Sequence, residues 1–328
     1  MKKLFAILFI LILPVCVFGQ SEKADNLYNE GLKLYESKQY QSAISLFQKS
    51  DELDKKQLSP TSENYHRAEI AIINCWNDLA KEYASAENFA EAIRLQTLVV
   101  ERCEKIFGIL HSDYFTVLTT LTEYQIQSGN HSDADDTFME GIKYANSDQL
   151  DMATVQFEIS NTLEKKEYDE TSPYYHRSEI ALLKCWDIYV NYYAEAGNYE
   201  EAIKYQGLYV RGIKDLMGEM SSDYAQSLSS LAFYYANLGN YTEAIKIGTQ
   251  ATEKMKKILG EEHPDYAMSL SNLALYNSEI GNYTEAIRLE TISLEILKKV
   301  LGEEHPNYAR SLSNLAGYNA YIGNYTEA

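Results

Sequence analysis

The sequence is poor in the pieces from which catalytic centres are commonly assembled. It holds no Gly-rich phosphate loop, no Cys-x-x-Cys, no His-Glu-x-x-His and no Gly-x-Ser-x-Gly, so four common catalytic signatures are missing. Positive charge is scarce as well: 29 Lys and Arg stand against 48 Asp and Glu, a net −19. That balance argues against nucleic acid and against anionic membrane surfaces as partners. Beyond residue 18 no stretch is apolar for long enough to cross a bilayer, which excludes membrane insertion there by a helix. Core material is plentiful, with 45% hydrophobic residues and 28 Tyr.

The few chemically suggestive pairs do not survive their spacing. His66 with Cys75, and His176 with Cys185, are the nearest thing to a base and a nucleophile, nine residues apart in each case. Along a helix that is about 13 Å of rise, beyond hydrogen-bond reach. The cysteines read instead as small buried packing residues beside Trp76 and Trp186. Glu-Glu-His at 261–263 and 303–305 recurs once per repeat, as helix punctuation does, and is not read as a metal site. No catalytic residue, metal or cofactor is expected within these residues.

What the chain does contain is repetition. Gly-Asn-Tyr-Thr-Glu-Ala stands at 239–244, 281–286 and 323–328, with the same step between successive copies. Looser copies begin at Gly197, at Glu87 and at Gly129. A fixed 42-residue period marks a stacked repeat array. The hexapeptide reads as a tight turn between two helices: Gly239 takes the left-handed position, Asn240 caps the next helix, and Glu243 is placed to close a capping box. Pro264 and Pro306 suit a helix first turn, where Asp265 meets the positive end of the dipole. The sequons at Asn130, Asn240, Asn282 and Asn324 are read as the same turn chemistry.

A longer duplication underlies the first two thirds. Tyr65-His-Arg67 and Cys75-Trp76 return in the same register as Tyr175-His-Arg177 and Cys185-Trp186. Residues 24–130 and 134–240 are therefore copies of one block on a 110-residue period. Helices are expected near 24–37, 39–55, 62–86, 88–107 and 112–128 of the first copy. Five helices are odd in number, so the helix at 131–146 is expected both to close a third hairpin and to open the second copy. An irregular joint is expected within 146–172. Cys75 and Cys103 lie at meeting ends of two antiparallel helices, where a bridge is open, although Ile213 opposite Cys185 shows that the fold does not require one.

The N-terminus reads as an export signal: Met1-Lys2-Lys3, an apolar run from Leu4 to Phe18, and Val17 and Gly19 before a cleavage site. The domain plan is then a signal at 1–19, a first array at 20–147 and a second at 148–328. Losing Lys2 and Lys3 takes 29 basic residues to 27 and the net charge from −19 to −21. A periplasmic or extracellular location follows, with lipidation at Cys16 as the alternative. Residues 323–328 open a turn whose earlier copies lead into a second helix, so the array is expected to continue past Ala328.

Leu27, Gly31, Leu34, Tyr40, Ala43 and Phe47 fall at the spacings of a tetratricopeptide (TPR) unit. Trp76 with Leu79, Ala80, Tyr83, Phe89 and Ala92 does the same, as does Trp186 with Tyr189, Val190, Tyr193, Gly197, Tyr199 and Ala202. With Leu-Gly-Glu-Glu-His-Pro-x-Tyr-Ala at 259–267 and 301–309, the later units resemble the 42-residue kinesin-light-chain type. The resemblance implies an all-α fold, a right-handed TPR-like α-solenoid of stacked antiparallel helical hairpins. It implies a concave groove, lined by the first helix of each hairpin, that takes a protein or peptide partner. Mapped by motif, Ser230, Asn272 and Asn314 face that groove. Beside them stand Ser229, Phe233, Asn237, Ser271, Leu275, Glu279, Ser313 and Tyr321. One departure is visible: relatives carry a Tyr four residues after the Leu, where Asn277 and Asn319 stand here, with Tyr276 and Tyr318 one earlier. The reading is a non-catalytic exported scaffold. The resemblance leaves open a targeting arm for an enzyme, such as a caspase-like peptidase, beyond residue 328, and exposed Tyr leaves open an envelope carbohydrate binder.

Overall fold

The computed structural model describes residues 22–62 and 64–324, and every regular element among them is an α-helix. The signal segment 1–19 with Cys16, and residues 325–328 of the last turn, lie outside the described residues. In chain order the helices begin with α1 (Glu22–Glu36), α2 (Tyr40–Gln57), α3 (Arg67–Ser85), α4 (Phe89–Phe107) and α5 (Ser112–Gln127). They continue with α6 (Asp133–Asn146), α7 (Leu150–Glu167), α8 (Arg177–Glu195), α9 (Tyr199–Met217) and α10 (Ser222–Asn237). The last are α11 (Tyr241–Leu259), α12 (Pro264–Glu279), α13 (Tyr283–Leu301) and α14 (Pro306–Tyr321). This is the all-α, TPR-like solenoid fold class, and it divides into two compact units, Met1–Leu182 and Leu183–Ala328.

In the first unit α1 packs on α2 and α3 on α4 as hairpins, and the small residues decide how close they come. Gly31 lies against the Phe47 ring, where a Cβ would stand 2.6 Å from it, and Gly141 meets Phe157 at the same distance. Tyr28, Ala43, Phe47, Ala68, Ala71 and Cys75 form the first core cluster. Buried hydroxyls then tie second helices to first ones, with Ser50 donating to the Ala24 carbonyl and Ser160 to that of Ala134 (both 3.0 Å). The second unit repeats the scheme in α10 with α11 and α12 with α13, around Ala232, Ala244, Met255, Leu273, Ala274 and Tyr276.

The turn carries one feature that the capping pattern did not reveal. Gly239, at φ 83°, donates to the Ala236 carbonyl, and the Asn240 N–H donates to Tyr235 (both 2.9 Å). This pair of bonds ends α10 as a Schellman motif. Asn240 then caps α11, its side chain accepting the Glu243 N–H at 3.2 Å. One residue thus closes one helix and opens the next. The expected capping box is absent because the Asn240 N–H is already used by Tyr235, and Glu243 pairs with Lys246 at 3.0 Å instead. Asn282 departs further: its amide donates to Asn277 Oδ1 at 3.1 Å and forms no cap bond. Pro264 and Pro306 do open their helices, and His263 and His305 cap them, each accepting through Nδ1 from the N–H two residues on.

Two expectations about the joint are corrected. α6 packs chiefly on α7 and touches α5 only sparingly, so it opens the second copy without closing a third hairpin. The stretch 146–172 is regular, a full-length helix α7 between a tight turn at Asp148 (φ 58°) and the loop that follows. It reproduces α2 and its flanks in the first copy.

Candidate binding face

Successive first helices α10, α12 and α14 lie side by side in the second unit. Because these helices recur at one fixed step along the chain, equivalent side chains fall in rows across them. One row is Ser230, Asn272 and Asn314; a second is Phe233, Leu275 and Gly317; a third is Asn237, Glu279 and Tyr321. Phe233 is 52%, Leu275 44% and Tyr321 73% exposed, an unusual density of open apolar surface on consecutive helices. Asn272 is exposed, whereas Ser230 and Asn314 are half-buried.

The polar members are partly committed. Asn237 donates its amide to the Phe233 carbonyl at 2.8 Å, and the Ser230 hydroxyl donates to Gln226 at 3.3 Å. Glu279 accepts from the Tyr241 hydroxyl. At the equivalent place one repeat on, Tyr321 stacks on Tyr283 with ring centroids 5.1 Å apart. Ser229 is half-buried and Ser313 exposed, but Ser271 is not a groove residue. It is buried, and its hydroxyl donates to both oxygens of Glu290 at 2.8 and 3.0 Å.

Glu290 is what sequence reading missed. It lies fully buried on α13 between α12 and α14 and accepts also from Ser311 (2.6 Å) and from Asn314. Burial pushes its carboxyl above the ordinary range, with the donors from Ser311, Ser271 and Asn314 opposing. The same position of the repeat holds Gln96, Gln206 and Gly248. Gln96 donates to the Val117 carbonyl and Gln206 to that of Ser227, both at 3.0 Å, so each Gln latches its second helix to the next first helix, a tie that Gly248 cannot make. The signal was present on the 42-residue grid as a polar residue on an otherwise core-facing row. The departure at Asn277 has a comparable explanation. Its amide donates to the Leu273 carbonyl at 2.9 Å while its Oδ1 holds the Asn282 turn, so a tie replaces the ring of relatives.

Among the described residues no cysteine stands in these rows. Cys75, Cys103 and Cys185 are buried and in no disulfide, so the bridge left open between Cys75 and Cys103 is not formed. Burial pushes the Cys75 and Cys103 thiols up to about 12. His66 pairs with Glu69 at 2.8 Å and His176 with Glu179 at 2.6 Å, so each imidazole has a carboxylate for its partner and not a thiol.

Tetratricopeptide repeat family models agree with this geometry: they match residues 223–299 and 281–328, and a further one matches 73–113. Among solved structures, the nearly identical TPR-like repeats of a candidate kinesin light chain from Podosopora anserina are 22% identical. They cover 58% of this chain and 88% of their own, with a TM-score of 0.40. BtubC (BKLC) of P. vanneervenii is 17% identical over 73% of this chain and 86% of its own, with a TM-score of 0.46. The TPR2AB domain of yeast Sti1, in its pHSP90 complex, is 15% identical over 89% and 98%, with a TM-score of 0.33. No curated protein matches the chain. Residues 73–113 and 223–328 thus read as tetratricopeptide repeats, and the helical hairpins with the turn that joins them follow the same plan.

Proposed function

We propose that the chain is an exported, non-catalytic scaffold that holds a peptide or protein segment along the face of α10, α12 and α14. The observation that carries this is the open apolar surface of Phe233 and Leu275 in one row and Tyr321 in the next, set among exposed amide and carboxylate groups on helices in fixed register. Aromatic and aliphatic anchors in a polar surround are the usual make-up of a peptide-binding surface. Export rests on the signal at 1–19, cleaved after Gly19.

The binding reading is tested with peptides selected on the full chain from a random display library. Replacing Phe233 and Leu275 together by Ser is expected to weaken the selected peptides about ten-fold, as loss of interface anchors does, with little change in melting temperature. Unchanged affinity in that variant overturns the assignment of this face. Export is tested by N-terminal sequencing of protein from the envelope fraction, which is expected to start at Gln20. An intact Met1, or a lipid on Cys16, rejects the cleavage site.

A further inference from the structure

The exposed face of α7 departs from its own copy earlier in the chain. Among the described residues of the first unit, the large apolar side chains that stand open are Met152, Val155 and Ile159, at 44%, 48% and 47% exposure. They fall at i, i+3 and i+7, which makes one stripe about 10 Å long on the helix. On α2 the residues 110 positions earlier are Ser42, Ser45 and Lys49, all exposed. The inward side is unchanged: Ala43, Phe47 and Ser50 return as Ala153, Phe157 and Ser160, each 0% exposed. The same packing is thus served by a polar outer face, and it does not account for the stripe.

The charges beside the stripe have changed with it. Between residues 38 and 49 the charged groups are Lys38 and Lys49; between 148 and 159 they are Asp148, Asp151 and Glu158, all exposed. The face passes from +2 to −3 over this length. Asp151 and Glu158 are themselves seven apart, so the helical turn sets both along one edge of the stripe. Both copies end in two lysines, Lys55-Lys56 and Lys165-Lys166, and Lys165 is held by Glu179 at 2.7 Å. Two copies of this chain meeting stripe to stripe would set acidic edge against acidic edge. Three half-open side chains also fall far short of the roughly 800 Å² that each partner gives a stable complex. The charge calls for a basic partner, and the small area for a weak one.

We propose that the exposed face of α7 docks an amphipathic helix of a partner protein, apolar along one side and edged with lysine or arginine. A helix laid along α7 meets the stripe with its own residues at i, i+3 and i+7, the spacing at which paired helices interdigitate. Its basic edge answers Asp151 and Glu158, which fix register and speed encounter. The site lies on a second helix of the first unit and is independent of the peptide face on α10, α12 and α14.

The probe is a synthetic helix with leucine along one side and lysine along the other, and its control carries glutamate in place of lysine. In the full chain labelled at methionine methyls, Met152→Leu identifies the Met152 resonance by its loss. The leucine–lysine helix is expected to shift that resonance saturably, with a Kd on the order of 10⁻⁴ M, and the leucine–glutamate helix to leave it in place. Fluorescence anisotropy of the labelled helix then compares variants. Met152→Ser, Val155→Ser and Ile159→Lys together restore the residues of α2 and are expected to weaken binding about ten-fold, with the melting temperature near that of the parent. Asp151→Gln with Glu158→Gln keeps the stripe and is expected to weaken it about five-fold at low salt. Equal binding of the two helices, unchanged affinity in either variant, or a Met152 methyl that stays in place overturns the proposal. So does sedimentation in which the parent dimerises and the triple variant does not, which gives the face to a second copy.

Discussion

The two copies of the long block hold the same arginine hub, and they differ in what covers it. In the first copy Arg67 binds Asp54 through Nε and Nη2 at 2.8 and 2.9 Å, reaches Asp25 at 2.7 Å, and lies over the Tyr28 ring. In the second copy Arg177 binds Glu164 at 2.9 Å and Asp135 at 2.8 Å and lies over Phe138 and Tyr174. Three partners correspond between the copies, Asp25 with Asp135, Asp54 with Glu164 and Tyr28 with Phe138, whereas the Tyr174 ring over Arg177 has Asn64 as its counterpart. Yet the Arg67 side chain keeps 12% of its surface open and Arg177 keeps none. The second hub has α5 of the preceding copy beside it, and Thr122 from that helix accepts from Arg177 Nη1 at 2.9 Å. Position in the array, which brings α5, and the Tyr174 ring, which replaces Asn64, together set how dry the second hub is.

That difference sets the largest predicted effect. Arg177→Ala strands two buried carboxylates and is expected to cost about 3–5 kcal/mol. Arg67→Ala strands one buried carboxylate, Asp54, while Asp25 keeps a third of its surface in water, and is expected to cost less, about 2–3 kcal/mol. Urea unfolding of the two variants checks the ranking, and equal losses would break the comparison.

Glu290 extends the contrast to the later repeats, where the latch is a carboxylate in place of Gln96 or Gln206. Its carboxyl is harder to ionise in the folded chain than in the unfolded one. The native state therefore binds the extra proton, and stability falls as pH rises from the ordinary value of 4.5 through the raised one. Glu290→Gln restores the residue of the earlier repeats and is expected to gain about 1 kcal/mol at neutral pH, with the gain vanishing in acid. A loss at neutral pH would show that the Ser271, Ser311 and Asn314 donors need the charge.

A smaller sharpening comes from the turns. Glu87 sits at φ 57°, the left-handed region, where the second copy has Gly197 at φ 71°. Glu87→Gly is expected to gain about 0.5–1 kcal/mol by relieving the Cβ contact. No gain would mean that Glu87 makes up the strain through contacts of its own. The smallest effect is expected on the candidate face. Asn272→Ala should change stability by less than about 0.5 kcal/mol, as at an exposed site. Asn314→Ala, which removes a donor to Glu290, should cost about 1 kcal/mol. Melting curves of the two variants tell whether equal spacing on α12 and α14 hides unequal roles.

Much of this was legible because repeat proteins write local rules many times over. Gly239, Asn240 and Pro264 each name a backbone conformation or a cap that depends only on near neighbours, and each was placed correctly. The capping box at Glu243 failed because its donor was taken by Tyr235 across the turn, a competition that spacing does not display. Ser271 was misplaced for a similar reason. Its helical position points toward the groove of relatives, but a carboxylate from α13 draws it into the interior.

The sequence by itself determined the helices, the turns between them, the hairpin unit and the two nested repeat grids. These follow from periodicity, from caps and from the left-handed freedom of glycine, all short-range properties of the backbone. Tertiary structure alone decided that α6 pairs with α7, that Arg177 is dry while Arg67 is wet, and that Glu290 gathers donors from two neighbouring helices. It alone left Met152, Val155 and Ile159 open on α7. Burial and electrostatic environment are set by what stacks against a residue, and no residue carries that information in its own neighbourhood of the chain.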